Sequence, residues 1–582
     1  TRNFHARAGS GQRFRRGRAP SGRPWDTSAG LYGRWDPLVY RLLTPDGVDW
    51  RDLDRDSWIK VYGRWHTGGG PAFRVEDGGE PAGAEANCFI CHLREPDNRG
   101  RIAALRAGRP AWAVTATLGR SPVVESEAGT YRYIVESFDQ QGRAPPSAIG
   151  LQHPDAAACG QCHGEVYDGR EPLVLQYDGS DRRSAVTGQI FSPQQMSLSG
   201  VNLRGREELH RSWDVHAERL LDCSSCHHSL NNPAYYAEST ATRPRHQLFE
   251  ARKQRVGEYL KRPSHYLAKG YSVQGTADPH LDGNMRGCRD CHDFDSVHDW
   301  LPYRQQHTRR LGCESCHVPR IHAPALQSVD WTVVNSAGRP RLSYRGIRGP
   351  VNRASSLVTG YEPVLLQRID SDGSRRLLPH NLVTTFYWHS QSDDRPVLLR
   401  ELEEAFSGAP PGLVSALDED GNGKIDDGEL RLDTAAKVEA VKKRLLEVGV
   451  NAPVIRAEIQ PHGIHHSVAP SGWATRSCKT CHSAESRVSQ GFQLADFAPG
   501  AARPVLVGDA AVVLAGGIER SQAGPLIFRP RIETAGLYLL GHHRLVSVDA
   551  LGLLAMVMML LGVAVHAGLR IRAHLRRRGE EG

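Results

Sequence analysis

Residues 285–319 read MRGCRDCHDFDSVHDWLPYRQQHTRRLGCESCHVP. Two complete CxxCH motifs stand in this run, one made of Cys288, Cys291 and His292 and the other of Cys313, Cys316 and His317, with His298 and His307 between them. In c-type attachment the two thiols bond to the porphyrin vinyl groups and the adjoining His binds iron from one side. One helical turn suits that chemistry, because it brings both sulfurs to one edge of the macrocycle and the imidazole beneath its metal. The short chain between the two motifs has little reach, so two such groups must lie close in space.

Working outward, the remaining cysteines repeat the pattern. The first motif is Cys88, Cys91 and His92, and the second is Cys159, Cys162 and His163. The third is Cys223, Cys226 and His227, and the sixth is Cys478, Cys481 and His482. The 12 cysteines thus make six motifs, with none left over. A zinc site would want paired CxxC units or a distant His pair, and a disulfide framework has no use for a His after every second Cys. The expected cofactors are therefore six covalent haems c, whose own apolar surface can nucleate a core in a chain only 39% hydrophobic. Such attachment takes place on the outer face of the bacterial inner membrane, so export is expected. The Arg-rich run from Thr1 has no apolar core, and a presequence ahead of it is expected to have been removed or left out.

The net charge of +8 comes from arginine far more than from lysine. Pairing with haem propionates and acidic lipid accounts for it, and no aromatic-basic groove or duplex-reading motif accompanies the charge, so nucleic acid is not an expected partner.

Second axial ligands are sought among the other histidines, since His is the usual donor. His153, His216 and His307 each lie one or two helical turns before a motif and are expected to face a neighbouring iron. His66, His265 and His298 are further distal candidates, and His465 is chosen from His462, His465 and His466 ahead of the sixth motif. His228 is assigned to solvent or a propionate, while His280 competes for a distal role. Only Met196 and Met285 lie outside the C-terminal apolar run, so His/Met ligation can serve two haems at most, and bis-His ligation keeps potentials low.

The fold class expected is α+β, with short helices around the motifs and β-hairpin inserts. Hairpins are read at 111–119 with 130–138, within 329–346, and within 363–388, where SAG and SDG mark the last two turns. A helix is expected to carry the third motif within 212–236, and 503–540 looks strand-rich. Asp418–Glu429 spells DEDGNGKIDDGE, which fills each position of an EF-hand loop. Asp418, Asp420, Asn422, the Lys424 carbonyl, Asp426 and Glu429 are the expected ligands to one calcium ion, with Gly423 at the bend. The helix before the loop is short and no second loop pairs with it, which suits a structural clip better than a sensor.

Residues 546–569 form an apolar span of bilayer length, followed by the basic RIRAHLRRR, which should remain cytoplasmic. His566 lies near the inner end. The units expected are an Arg/Gly-rich arm (1–67), a multihaem domain with haems 1 to 5 (68–325), a β-rich insert (326–395), the calcium loop and helix (396–450), haem 6 with a strand-rich segment (451–545), a transmembrane helix (546–569) and a basic tail (570–582).

With its six motifs, CESCHVPR at 313–320, HHSVAP ahead of CKTCH, and a single C-terminal anchor, the chain resembles bacterial multihaem c-type cytochromes. It is most similar to membrane-anchored haem subunits of quinone-linked respiratory complexes. That likeness implies electron transfer between an integral membrane redox subunit, a cytochrome b or iron–sulfur protein, and a periplasmic carrier. It does not cover the amino-terminal part, the strand-rich inserts or the calcium loop. The competing reading is a multihaem reductase or oxidase of a small nitrogen or sulfur compound, which needs one iron with an open sixth position.

Overall fold

A computed structural model of the chain describes residues 93–580, apart from internal stretches of which 101–115, 138–145, 157–164, 167–171, 176–183, 228–284, 532–538 and 540–545 are the longest. The whole of the first motif, Cys88, Cys91 and His92, lies outside the described residues, and so does the whole of the second, Cys159, Cys162 and His163. The same holds for the distal candidates His66, His153 and His265, for His228 and His280, and for the amino-terminal arm.

The first hairpin pairs β1 (Val124–Glu127) with β2 (Thr130–Tyr133), Glu127 opposite Thr130. Its first strand is not the 111–119 segment expected. Ala116 and Thr117 are helical, and the chain turns back at once where the Ser121 amide and hydroxyl both donate to the Leu118 carbonyl. Alternation alone cannot tell a strand from such a turn when the small residues Ala and Thr supply the pattern.

The third motif sits on two single turns rather than one helix: α1 (Val215–Glu218) and α2 (Cys223–Cys226). Leu220 has φ 59 between them, and each turn has its own aspartate cap, Asp214 accepting from the His216 amide and Asp222 from the Cys223 amide. A fresh N-cap restarts a helix, and the left-handed residue prevents the two from merging. The turns α3 (Phe294–Val297), α4 (Arg304–Arg310) and α5 (Glu314–His317) follow, bearing His307 and His317, with His298 as the C-cap of α3.

Then the backbone changes to sheet. The strands β3 (Ala325–Val334) and β4 (Pro340–Arg345) form one hairpin, and β5 (Val364–Ile369) with β6 (Arg375–Ser390) another. The turns fall where SAG and SDG put them, with Gly338 at φ 62 and Gly373 at φ 78. Strand β6 is the spine of an eight-stranded sheet. Its first part pairs with β5; its second pairs in parallel with β3 and antiparallel with β7 (Pro453–Gly463). The run LLPHNLVTTFYWHS is buried throughout, as a strand covered on both faces must be. Val383 and Tyr387 fall in one core while Leu382 and Phe386 fall in another, following the alternation of a strand.

The first of these cores draws in α6 (Leu399–Phe406), α7 (Pro411–Leu417) and α8 (Ala435–Glu447) through Leu402, Leu413, Leu417, Val441 and Leu445. The β-rich insert and the calcium-loop segment, read from sequence as two units, thus share one core with Trp331 and Trp388. The second core joins Trp213, Val318, Phe386, Ile459, Phe492 and Phe528, so the motif-bearing segments rest on the same sheet. Beyond β7, the segment 504–530 is strand-rich as read.

Helix α9 (Val546–Glu580) closes the described chain. Among the described residues it is the one helix long and apolar enough to cross a membrane, and none of its apolar window is buried. It runs past 569 through the Arg-rich tail, because Leu, Ala and Arg are good helix formers and no breaker interrupts them before Gly579.

Candidate functional site: histidine pairs behind the cysteine motifs

Each described motif folds as one turn. The His amide donates to the carbonyl of the first Cys in all four: His227 to Cys223 at 2.9 Å, His292 to Cys288 at 3.0 Å, His317 to Cys313 at 3.0 Å and His482 to Cys478 at 2.8 Å. This bond closes a helical turn, which brings the ends of the motif to one side. In the fourth motif the Cys291 amide donates to the same Cys288 carbonyl at 3.4 Å, and both cysteines are exposed. None of the described cysteines forms a disulfide.

Each of these four histidines faces a second histidine from elsewhere. Ring centroids are 6.0 Å apart for His227 and His466, 6.2 Å for His292 and His216, 6.0 Å for His317 and His298, and 6.2 Å for His482 and His307. A transition metal–imidazole bond of about 2 Å, added to roughly 1.1 Å from nitrogen to ring centre, puts two axial imidazoles ~6.2 Å apart. The spacing fits an iron between the rings.

Second bonds orient the rings. The Nδ1 atoms of His298 and His307 lie 3.2 Å from the carbonyls of Phe294 and Tyr303, four residues earlier on the same turn. That of His317 lies 3.5 Å from the Ala469 carbonyl, and that of His216 lies 3.5 Å from the Asp214 carboxylate. A ring held at Nδ1 offers Nε2 to a metal. The bond to Asp214 raises the His216 pKa against burial, whereas burial lowers that of His317.

The motifs adjoin one another in a row. Between the third and fourth, the Arg286 amide donates to Cys226 O at 2.9 Å and its guanidinium to Ser225 O at 3.3 Å. The Cys288 and Cys313 thiols are neighbours, joining the fourth to the fifth, and their interaction raises Cys288 and lowers Cys313. Between the fifth and sixth, the Thr475 amide donates to Cys316 O at 2.9 Å, and Arg487 bonds to both motifs. Ligand candidates cross between neighbours: His216 precedes the third motif and faces the fourth, and His307 precedes the fifth and faces the sixth.

At HHSVAP the structure places His466, not His465, opposite His227. The amides of both donate to Gln189 Oε1 at 2.7 Å, and His465 Nδ1 bonds Glu314 Oε1 at 2.9 Å. Burial works to raise Glu314, but the His465 bond and nearby Arg376 hold its carboxyl below the usual range. Two adjacent histidines carry no sequence signal for which one turns inward; Glu314, 151 residues away in sequence from His465, holds that ring aside. His462 lies in β7 opposite Asn381. Met196 is 1% exposed inside the second core, and Met285 is on the surface.

The acidic loop Asp418–Glu429 holds its shape through its own carboxylates. Asp418 accepts from the amides of Gly421 at 2.8 Å, Asn422 at 3.2 Å and Gly423 at 2.8 Å, with Gly423 at φ 79. Glu429 accepts from Glu419 at 2.7 Å, Asp420 at 3.2 Å and Asp426 at 2.9 Å, and these bonds lower its pKa. The carboxylates of Asp418, Asp420 and Glu429 converge within 4.8 Å of one another. All are hard oxygen donors, which suits calcium. The Asn422 side chain bonds Asp420 at 2.9 Å, Lys424 donates its amide to Asn422 at 2.8 Å, and Asp426 lies 3.4 Å from Asn422 Nδ2, so the six expected residues share one loop.

No family model matches the chain. No curated protein matches it either. Among solved structures, the octaheme cytochrome c from Shewanella oneidensis aligns at 15% identity and a TM-score of 0.31, over 74% of this chain and 78% of that one. A likeness this loose carries no argument about the site.

Proposed function

We propose that the chain is a hexahaem c-type cytochrome, anchored by α9 with its haem-bearing part in the periplasm, that relays electrons within a quinone-linked respiratory complex. The observation that carries this reading is the set of four histidine pairs. Each joins a CxxCH histidine to one from elsewhere at 6.0–6.2 Å, the spacing that two axial ligands require.

When bound, haem c supplies reversible one-electron chemistry at iron. The chain's residues do the rest. Eight described cysteines and four motif histidines fix the attachment points. His216, His298, His307 and His466 would hold the group together with the motif histidines, and Asp214 and backbone carbonyls orient the rings of the first three. Histidines on both sides keep water and small ligands off the metal, which favours a relay over a reductase at these four motifs. The adjacency of the motifs orders the attachment points third, fourth, fifth, sixth, the order they have along the chain.

The partners of this reading are an integral membrane redox subunit beside α9, a cytochrome b or iron–sulfur protein, and a periplasmic carrier. The apolar length of α9 and the Arg cluster at its end support the anchor and its orientation. The calcium loop acts as a clip between α7 and α8, whose apolar faces enter the core containing Trp331 and Trp388.

The test is the reduced spectrum with carbon monoxide, on chain purified in mild detergent whose haem content is counted by intact mass. Six haems and no carbon monoxide adduct are expected. Prompt binding at one haem would move the assignment to a reductase or oxidase acting on a small molecule at an open site.

A further inference from the structure

Arg487 is 6% exposed and sits where the fifth and sixth motifs meet. Its guanidinium donates to three carbonyls, those of Ser315 within α5 at 2.8 Å, Val318 just past it at 3.2 Å and Pro363 ahead of β5 at 3.4 Å. Its own amide donates to Thr480 O, inside the sixth motif, at 2.9 Å. One residue therefore ties the two turns together.

The charge is not neutralised locally. The nearest acid felt by the guanidinium, Glu362, is itself paired with Arg320 at 3.2 Å, and Arg487 Nε is buried without a hydrogen-bond partner among the described residues. Arginine stays protonated under any condition the fold survives. The guanidinium bonds Ser315 and the amide bonds Thr480, the residues directly before the thioether positions Cys316 and Cys481. Oxidised haem carries one more positive charge than reduced haem, and a fixed cation in a poorly solvated site disfavours the oxidised form.

We infer that Arg487 is a positioning and tuning residue: it locks the fifth and sixth motifs to each other and raises the reduction potentials of the two haems attached there. The inference rests on the haem reading above. It implies that reducing equivalents settle toward the fifth and sixth positions.

The test is a spectroelectrochemical titration of the full-length chain in detergent, as wild type, Arg487→Gln and Arg487→Lys, with haem content counted by intact mass. Glutamine removes the charge while keeping donors; lysine keeps the charge while losing the planar fork. The expected result is that Arg487→Gln shifts two of the six components to lower potential. Arg487→Lys leaves those two near their wild-type values while lowering the melting temperature. Six haems with unmoved potentials in Arg487→Gln, or equal shifts in both variants, would overturn the tuning role and leave the relay standing. If Arg487→Gln does not accumulate, the lysine variant decides: retained potentials support the inference and lowered ones overturn it. A wild-type chain without haem would instead overturn the reading of function beneath it.

Discussion

Replacing His466 with alanine should open one iron per chain, and replacing its neighbour His465 should open none. The magnitude follows from the geometry. The His227 and His466 rings are 6.0 Å apart with room for one metal, and removing the second ring leaves that side unfilled. His465 is not placed to substitute, because its Nδ1 is bound to Glu314 at 2.9 Å and its amide to Gln189 at 2.7 Å. Carbon monoxide titration of the reduced, detergent-purified His466→Ala chain should therefore rise from zero to one equivalent. That is a change in about one-sixth of the haem absorbance, given six motifs. His465→Ala should lose only its bond to a carboxylate. With His465 41% exposed at the side chain, the stability cost is about 1 kcal/mol after allowing for solvent screening. The reasoning fails if His465→Ala gains the adduct while His466→Ala does not.

Four further outcomes are expected. Calcium at a hundredfold excess over its dissociation constant should stabilise the wild-type fold by about 2.7 kcal/mol, and Glu429→Gln should abolish the rise in melting temperature. In calcium-free buffer, Glu429 has its folded pKa held below the usual value, foremost by the Asp426 amide. Its contribution is thus present above the ordinary glutamate pKa of about 4.3 and lost as pH falls through the depressed one. Thermal melts from pH 6 to 3 should accordingly fall more steeply for the wild type than for Glu429→Gln. Trp388, 1% exposed and donating its Nε1–H to Thr332 O at 3.0 Å, should cost about 3–5 kcal/mol on replacement by alanine, read as a lower denaturant midpoint. A chain ending before Val546 should leave the membrane fraction and remain in solution without detergent, whereas one cut after Glu580 should not.

The cysteine motifs, the acidic loop at Asp418–Glu429 and the apolar terminal run are local, and they can be read from the order of residues alone. Each is a set of residues at fixed short spacing, whose chemistry follows from one turn, one loop or one long helix. The hairpin turns at SAG and SDG are legible for the same reason. Residues 116–119 depart from their expected strand because alternation among small residues is shared by strands and turns. The 212–236 helix is divided because the left-handed Leu220 and the Asp222 cap interrupt it. Strand β7 carries no clear local signal, since two prolines and scattered charge conceal a pattern that becomes a strand only beside β6.

Which histidine meets which motif is a different kind of fact. His216 and His292 are 76 residues apart, His307 and His482 are 175 apart, and His227 meets His466 across 239, each a difference of the two residue numbers. Only packing on the shared sheet brings such pairs together. The choice of His466 over His465 follows from Glu314, a distant residue that holds the His465 ring aside and leaves the other facing His227. Spacing along the chain specifies the motif turns; the folded arrangement alone selects their partners, because those contacts depend on where the backbone returns.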